Sequence, residues 1–221
     1  MAMKFKRILA AFLSVLCLAS CEEFLTEDPT TSLSEGTVYS NEANLEAGVI
    51  GVYWSLKTSN YSWTTQMSEF CSFPSILIRW KDNRTSENYL QTLRLTMFSH
   101  SAENQGLYDY LYASIYKCNK MIEAMIDSPV DQTYKNEIEG EVKFIRAWQY
   151  FAAVRFWGDI PLILNTPKNI DETDAPRVHY MEVYKQILSD IEYAEQNMRT
   201  PERVAEVGGM TGRPNRWAAT A

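Results

Sequence analysis

Apolar positions recur along this chain at the spacing of a helix face. Leu45, Val49, Val52, Tyr53 and Leu56 fall at i, i+4, i+7, i+8 and i+11, which predicts a helix over residues 41–56. Ser40 and Asn41 suit its N-cap and Glu42 its first turn. Leu107, Leu111, Ile115, Cys118, Ile122 and Met125 mark a second helix, ending before Pro129. Ile138, Val142, Ile145, Trp148, Ala152 and Phe156 mark a third, from about Glu137 to Trp157, with Gly158 just beyond its end. Ile160 precedes Pro161, so an extended exit should follow. Val183, Tyr184, Ile187, Leu188, Ile191 and Ala194 predict a further helix over Tyr180–Met198, closed by Pro201. A glycine-rich connector, Gly208 to Gly212, and Pro214 then lead into a helix starting at Asn215. Between these elements the pattern fails over residues 58–104, which are rich in Ser, Thr, Asn and Trp and are interrupted by Pro74. So long an irregular stretch is either functional or poorly ordered, with short helical pieces expected over 67–70 and 88–95.

The expected fold class is therefore all-α. The helices near 107, 137 and 180 start 30 to 43 residues apart, the spacing of paired antiparallel helices in helical-repeat proteins. Ala147-x-x-x-Phe151 resembles part of the second helix of a tetratricopeptide unit. Trp54, Trp148 and Trp157 have apolar helical neighbours and are expected in the core. The helix at 180–198 should pair with the one that begins at Asn215, of which only seven residues are present, and this should leave Val183, Ile187, Leu188 and Ile191 partly uncovered.

The N-terminus carries an address. Lys4, Lys6 and Arg7 precede an apolar run, Ile8 to Leu18, of about 11 residues, where a membrane-spanning helix needs roughly 20. Leu18-Ala19-Ser20-Cys21 places two small residues before a cysteine, the pattern of a bacterial lipoprotein signal. Residues 1–20 then form the signal peptide and Cys21 is the lipidation site. Residues 21–40, polar and containing Pro29, form a lipidated tether. Each buried CH₂ contributes about 0.8 kcal/mol, so two or three acyl chains hold a protein on a membrane without a spanning helix. Glu22 and Glu23 fit either a surface-export signal or a solvated tether.

Charge removes some partner classes. The formal net charge is −7, and loss of the three basic signal residues leaves 18 Lys and Arg against 28 Asp and Glu, a charge of −10. No basic footprint for nucleic acid remains, and anionic lipid would repel the surface. Of four cysteines, Cys17 leaves with the signal and Cys21 is acylated. Cys71 and Cys118 could pair in an oxidising envelope or sit as two small buried apolar residues.

One segment is more specific. Residues 140–164 read GEVKFIRAWQYFAAVRFWGDIPLIL. This resembles the best-marked stretch of the SusD/RagB family of nutrient-binding outer-membrane lipoproteins, where a Glu-x-x-Phe-x-Arg-Ala helix ends in Phe-Gly-Asp-Val-Pro-Leu or a variant. Glu141, Phe144, Arg146, Ala147, Tyr150, Phe151, Gly158, Asp159, Pro161 and Leu162 carry the match. FLTEDPTTSLSE after Cys21 resembles the family's opening, and LYDYLYASIYKCNKM from Leu107 resembles its next marked helix, with Asn119 in place and Leu107 where a Trp is common. GRPNRWAATA at 212–221 resembles the start of the following repeat helix. The resemblance implies a SusD-like N-terminal helical domain over 41–221, cut short at its C-terminus, since relatives run to more than twice this length. It also implies capture of an oligosaccharide at the cell surface, on the outer membrane, beside a SusC-like TonB-dependent transporter. No cofactor is implied. The alternative is a helical-repeat surface lipoprotein that binds a protein partner.

Catalytic patterns are missing from the sequence. His100 and His179 stand far apart, and HExxH, Cys-x-x-Cys and Gly-x-Ser-x-Gly motifs do not occur, so no metal site and no enzyme are expected. Glu137, Glu139 and Glu141 share one helix and read as a solvated face. The candidate binding residues are Trp63, Arg79, Trp80, Asp82, Asn83 and Tyr89 in the irregular segment. A Trp ring offers an apolar face to a sugar ring, and the charged and amide neighbours offer hydroxyl partners. The resemblance places part of the glycan site in these same loops. The alternative is that Trp80 packs on the helical body.

Overall fold

The computed structural model describes residues 39–56, 102–169, 172, 174–207 and 212–221. The regular elements among these are helices apart from one two-residue antiparallel ladder, in agreement with the all-α expectation. Helix α1 (Glu42–Ser55) starts at Asn41, whose side chain accepts the Asn44 N–H at 2.9 Å. Helix α2 (Ala102–Ile126) begins a turn earlier than the apolar pattern indicates. A short loop leads to α3 (Gln132–Trp157), whose N-cap is Asp131, accepting the N–H groups of Thr133 and Tyr134. That start too precedes the expected one, because polar residues in a first turn leave no apolar signature. Gly158 ends α3 at φ +67°, a conformation that costs other residues strain. Strand β1 (Ile160–Pro161) pairs with β2 (Arg177–Val178), and α4 (Tyr180–Asn197) follows directly. Pro201 does not merely close α4. It occupies the first turn of a short helix, α5 (Pro201–Glu206), capped by Thr200. Helix α6 (Arg216–Thr220) is capped by Asn215, as expected.

Helix α3 is the central element. Tyr134, Ile138, Val142 and Ile145 pack with Leu45, Val49 and Val52 of α1 and with Cys118, Met121 and Met125 of α2. Ala147, Tyr150, Ala153 and Val154 meet Leu107, Leu111 and Ile115 of α2 and Val183 and Ile187 of α4. The Arg146–Asp190 ion pair, the Lys143–Tyr193 contact and the Phe151–Tyr184 contact run in opposite order along α3 and α4, so these helices are antiparallel. Helix α4 thus has a partner, and Val183 and Ile187 are buried rather than uncovered; of the four, Ile191 is half-buried and Leu188 is 60% exposed. Gly140 lets α3 approach the end of α4, since a Cβ there would lie 3.1 Å from the Met198 nitrogen. Trp54 and Trp148 depart from expectation: both are exposed on the outer faces of their helices. Cys118 is a buried free thiol, pushed up to about 12 by that burial.

Two charged clusters tie the helices together. Arg146 lies in the core, its Nε and Nη2 each donating to Asp190 at 2.8 Å and its Nη1 to Asn119 Oδ1 at 2.8 Å. Asn119 donates in turn to the Ile163 carbonyl, and Gln186 donates to Asp190. Every charge is therefore met by a fixed partner, as burial requires. The second cluster gathers Glu137 and Glu141 of α3, while Glu139 pairs with Lys143. Arg213 donates to both oxygens of Glu141 and to Glu46; Arg199 donates to Glu46 and Glu137; Arg203 donates to Glu137. The Tyr53 and Tyr134 hydroxyls donate to Glu141 and Glu46. Glu137 and Glu141 are thus not a solvated face, and Arg213, beside the glycine-rich connector, is a clasp between α1 and α3.

Asp190→Ala is expected to cost about 3–5 kcal/mol in urea unfolding, because Arg146 stays buried without its counter-charge. Replacing both as Arg146→Met with Asp190→Leu should cost less than either single change.

Burial alone would raise the Glu46 carboxyl, but hydrogen bonds from Arg213, Arg199 and Tyr134 outweigh it and hold the group below its ordinary 4.5. A carboxyl lowered in the folded state stabilises above its unfolded value and loses that contribution as pH falls through the folded one. The melting temperature should therefore hold near neutral pH and drop as pH falls below 4.5. Glu46→Gln should lower the plateau and flatten that drop.

Candidate functional site

The segment leaving α3 is held by side chains of α2 and α3. Tyr112 donates its hydroxyl to the Pro161 carbonyl at 2.7 Å. The Tyr150 hydroxyl both donates to the Ile163 carbonyl and accepts the Ile163 N–H, at 2.6 and 2.8 Å. Thr166 is bound through its N–H and hydroxyl to Glu123. Asp159 accepts the Tyr180 N–H at 2.8 Å and so joins the exit to the start of α4. Within the Gly-Asp-Ile-Pro-Leu run, Ile160 and Pro161 form the short strand β1, and the Pro161 carbonyl is taken by Tyr112.

This exit forms one wall of a cleft of about 350 Å³. Ile160 and Pro161 of β1 and Arg177 of β2 line one side; Asn104, Gln105 and Tyr108 from the first turns of α2 line the other, and Trp157 closes the end of α3. The Trp157 indole N–H donates to Asn104 Oδ1 at 3.0 Å, which fixes the ring. Tyr108 meets Trp157 edge-on at 5.3 Å between ring centroids and lies 4.5 Å from Tyr112. Burial pushes the Tyr112 hydroxyl far above its ordinary value, so it remains a donor to Pro161. The lining offers aromatic rings, aliphatic surface, two amides and one guanidinium. These are groups that bind and orient a polar ring compound.

The binding residues expected from sequence, Trp63, Arg79, Trp80, Asp82, Asn83 and Tyr89, lie outside the described residues, as does Cys21. Sequence reasoning missed the cleft because it took Trp157 for core and ended the irregular segment at 104. A faint signal was present: Tyr108 and Tyr112 lie one turn apart at the start of α2, and Trp157 adjoins the glycine that turns the chain. Among the described residues no group of three or more His, Cys, Asp or Glu could hold a metal ion. Among them, too, no helix is long and apolar enough to cross a membrane.

The fold and the motif define a class of all-α domains built from antiparallel helices. A family model of SusD-like proteins, described as starch-binding associating with outer membrane, matches residues 23–221. The chain belongs to the SusD-like family. It is similar to SusD-like protein P25 of Formosa agariphila, 27% identical over 98% of this chain and 42% of that protein. It shares its fold with a SusD-like protein of Bacteroides fragilis (TM-score 0.67, 21% identity, covering 90% of this chain and 35% of that one). It shares it also with a laminarin-binding SusD-like protein (TM-score 0.68, 20% identity, covering 82% and 38%). The chain therefore spans about two-fifths of its curated relative's length.

Trp157→Phe and Asn104→Ala should each cost about 0.5–1.5 kcal/mol, the range for one intramolecular hydrogen bond. A double-mutant cycle on thermal unfolding should show the two changes coupled, with far-ultraviolet circular dichroism unchanged.

Proposed function

We propose that this chain is the N-terminal helical part, over residues 41–221, of a cell-surface lipoprotein that captures oligosaccharides. Residues 1–20 act as its signal, and 21–40 as a tether anchored to the outer membrane through Cys21. The bound sugar passes to a SusC-like TonB-dependent transporter, and the protein binds without breaking bonds. The observation that carries this reading is the family match over 23–221, whose description joins starch binding to the outer membrane. A laminarin-binding protein of the same fold supports a glycan ligand. The aromatic and amide lining of the cleft supports it too, because such groups suit the apolar face and hydroxyls of a sugar. Trp80, with Arg79, Asp82, Asn83, Tyr89 and Trp63, supplies a further part of the site in this reading.

The test uses the full-length protein on a glycan array, with quenching of Trp fluorescence by each hit. Trp80→Ala should weaken binding by about 1–3 kcal/mol, the scale of one large apolar contact, with little loss of stability. Unfolding of that variant instead would mean that the ring is core. Metabolic labelling with a fatty acid should mark the wild type and not Cys21→Ala. Capture of the transporter from solubilised membranes tests the partner. Exposed Leu188 and Trp217 favour the second reading, a protein partner, which predicts partner binding with no sugar response.

A further inference from the structure

Among the described residues the arginines are almost all engaged. Arg146 holds Asp190, and Arg199, Arg203 and Arg213 hold glutamates. Arg216 donates to the carbonyls of Met198 and Gln196, and Arg155 lies over the Phe151 ring. Arg177 differs. Its side chain is exposed at the cleft, and no carboxylate among the described residues pairs with it. Its backbone is fixed by the β1–β2 pairing opposite Pro161, so the guanidinium is carried on an anchored strand rather than on a loose loop.

The rest of the lining reinforces this charge. The cleft includes Asn104 and Gln105, in the first turn of α2, so the positive end of a 25-residue helix adjoins it. None of the described residues that line it is acidic. Asp159, next to Ile160, is turned to the Tyr180 N–H at the start of α4. A molecule of strongly acidic composition thus has a cleft at which the charged side chain among the described lining residues is a cation. Beside that charge stand the Trp157 and Tyr108 rings, a surface for the C–H face of a sugar.

We propose that this cleft takes an acidic sugar unit, its ring against Trp157 and Tyr108 and its carboxylate or sulfate against Arg177. The proposal rests on the glycan-binding reading above and specifies the ligand class for the described cleft. A planar guanidinium matches either anion with two parallel N–H donors, whereas an ammonium supplies only a point charge.

The full-length protein should be tested on an array with three arms: neutral, uronate-containing and sulfated oligosaccharides. Binding should concentrate in an acidic arm, and which acidic arm responds identifies the anion. Arg177→Gln should weaken that binding at least about tenfold, and Arg177→Lys should retain part of it. Raised salt should weaken the wild type more than Arg177→Gln. The thermal melt of Arg177→Gln should match the wild type, since the side chain is exposed. Equal binding of neutral sugars, or acidic binding that Arg177→Gln leaves unchanged, would overturn the acidic-ligand proposal and leave the glycan reading standing. No binding in any arm would overturn the glycan reading, and this proposal with it.

Discussion

The buried guanidinium of Arg146 is the constraint around which the helices are arranged. A charge in the core is tolerated only when its donors are met in fixed geometry. Asp190 of α4 takes two donors and Asn119 of α2 takes a third. One side chain of α3 therefore sets the register of the helices on both sides of it. Asn119 passes the constraint on, through its amide, to the carbonyl of Ile163 in the exit segment. An apolar core would hold these helices together, but it would tolerate a slip of one turn more readily than a bidentate ion pair does.

The same constraint explains how the cleft is formed. The chain leaves α3 at Gly158 and must return to start α4 at Tyr180. Tyr112, Tyr150 and Asn119 clamp the first residues of this excursion, and Asp159 joins it to the start of α4. With both ends held, β2 is brought back antiparallel to β1, and Arg177 arrives opposite Pro161. The cleft is thus bordered by backbone that side chains and the β1–β2 ladder hold in place, which limits the ordering cost of binding.

Much of the fold was legible in the sequence, because each principal helix buries one periodic apolar face. Asn41, Gly158 and Asn215 also stand where capping chemistry puts them. What escaped has a common cause. Periodicity reports only the apolar face, so it missed the polar first turns of α2 and α3 and placed Trp54 and Trp148 inside although they face out. It is equally silent about long-range pairing of charges. Glu137 and Glu141 look like surface residues until Arg199, Arg203 and Arg213, more than sixty positions away, are brought against them. The cleft was hidden for the same reason: its residues come from three places in the chain, and no local pattern joins Asn104, Trp157 and Arg177.

The arginines sort by what surrounds them, and that sorting bears on recognition. In the clasp of Glu46, Glu137 and Glu141, guanidinium and carboxylate are present together, so the charge is spent internally and little field reaches solvent. Among the described residues Arg177 has no such counter-charge, and its field is shaped instead by the low-dielectric walls of Ile160, Pro161 and Trp157. An exposed guanidinium in open water discriminates weakly between anions and neutral molecules, because solvent screens it. Against an apolar wall the screening is reduced, and two groups on one ligand can be read at once, the ring by stacking and the anion by paired donors. The net negative charge of the chain acts in the opposite sense: it disfavours approach of polyanions except where this local charge outweighs it. Selectivity for an anionic sugar would then come from contact at the cleft rather than from long-range attraction, and it would depend on the register that Arg146 imposes on the helices beneath.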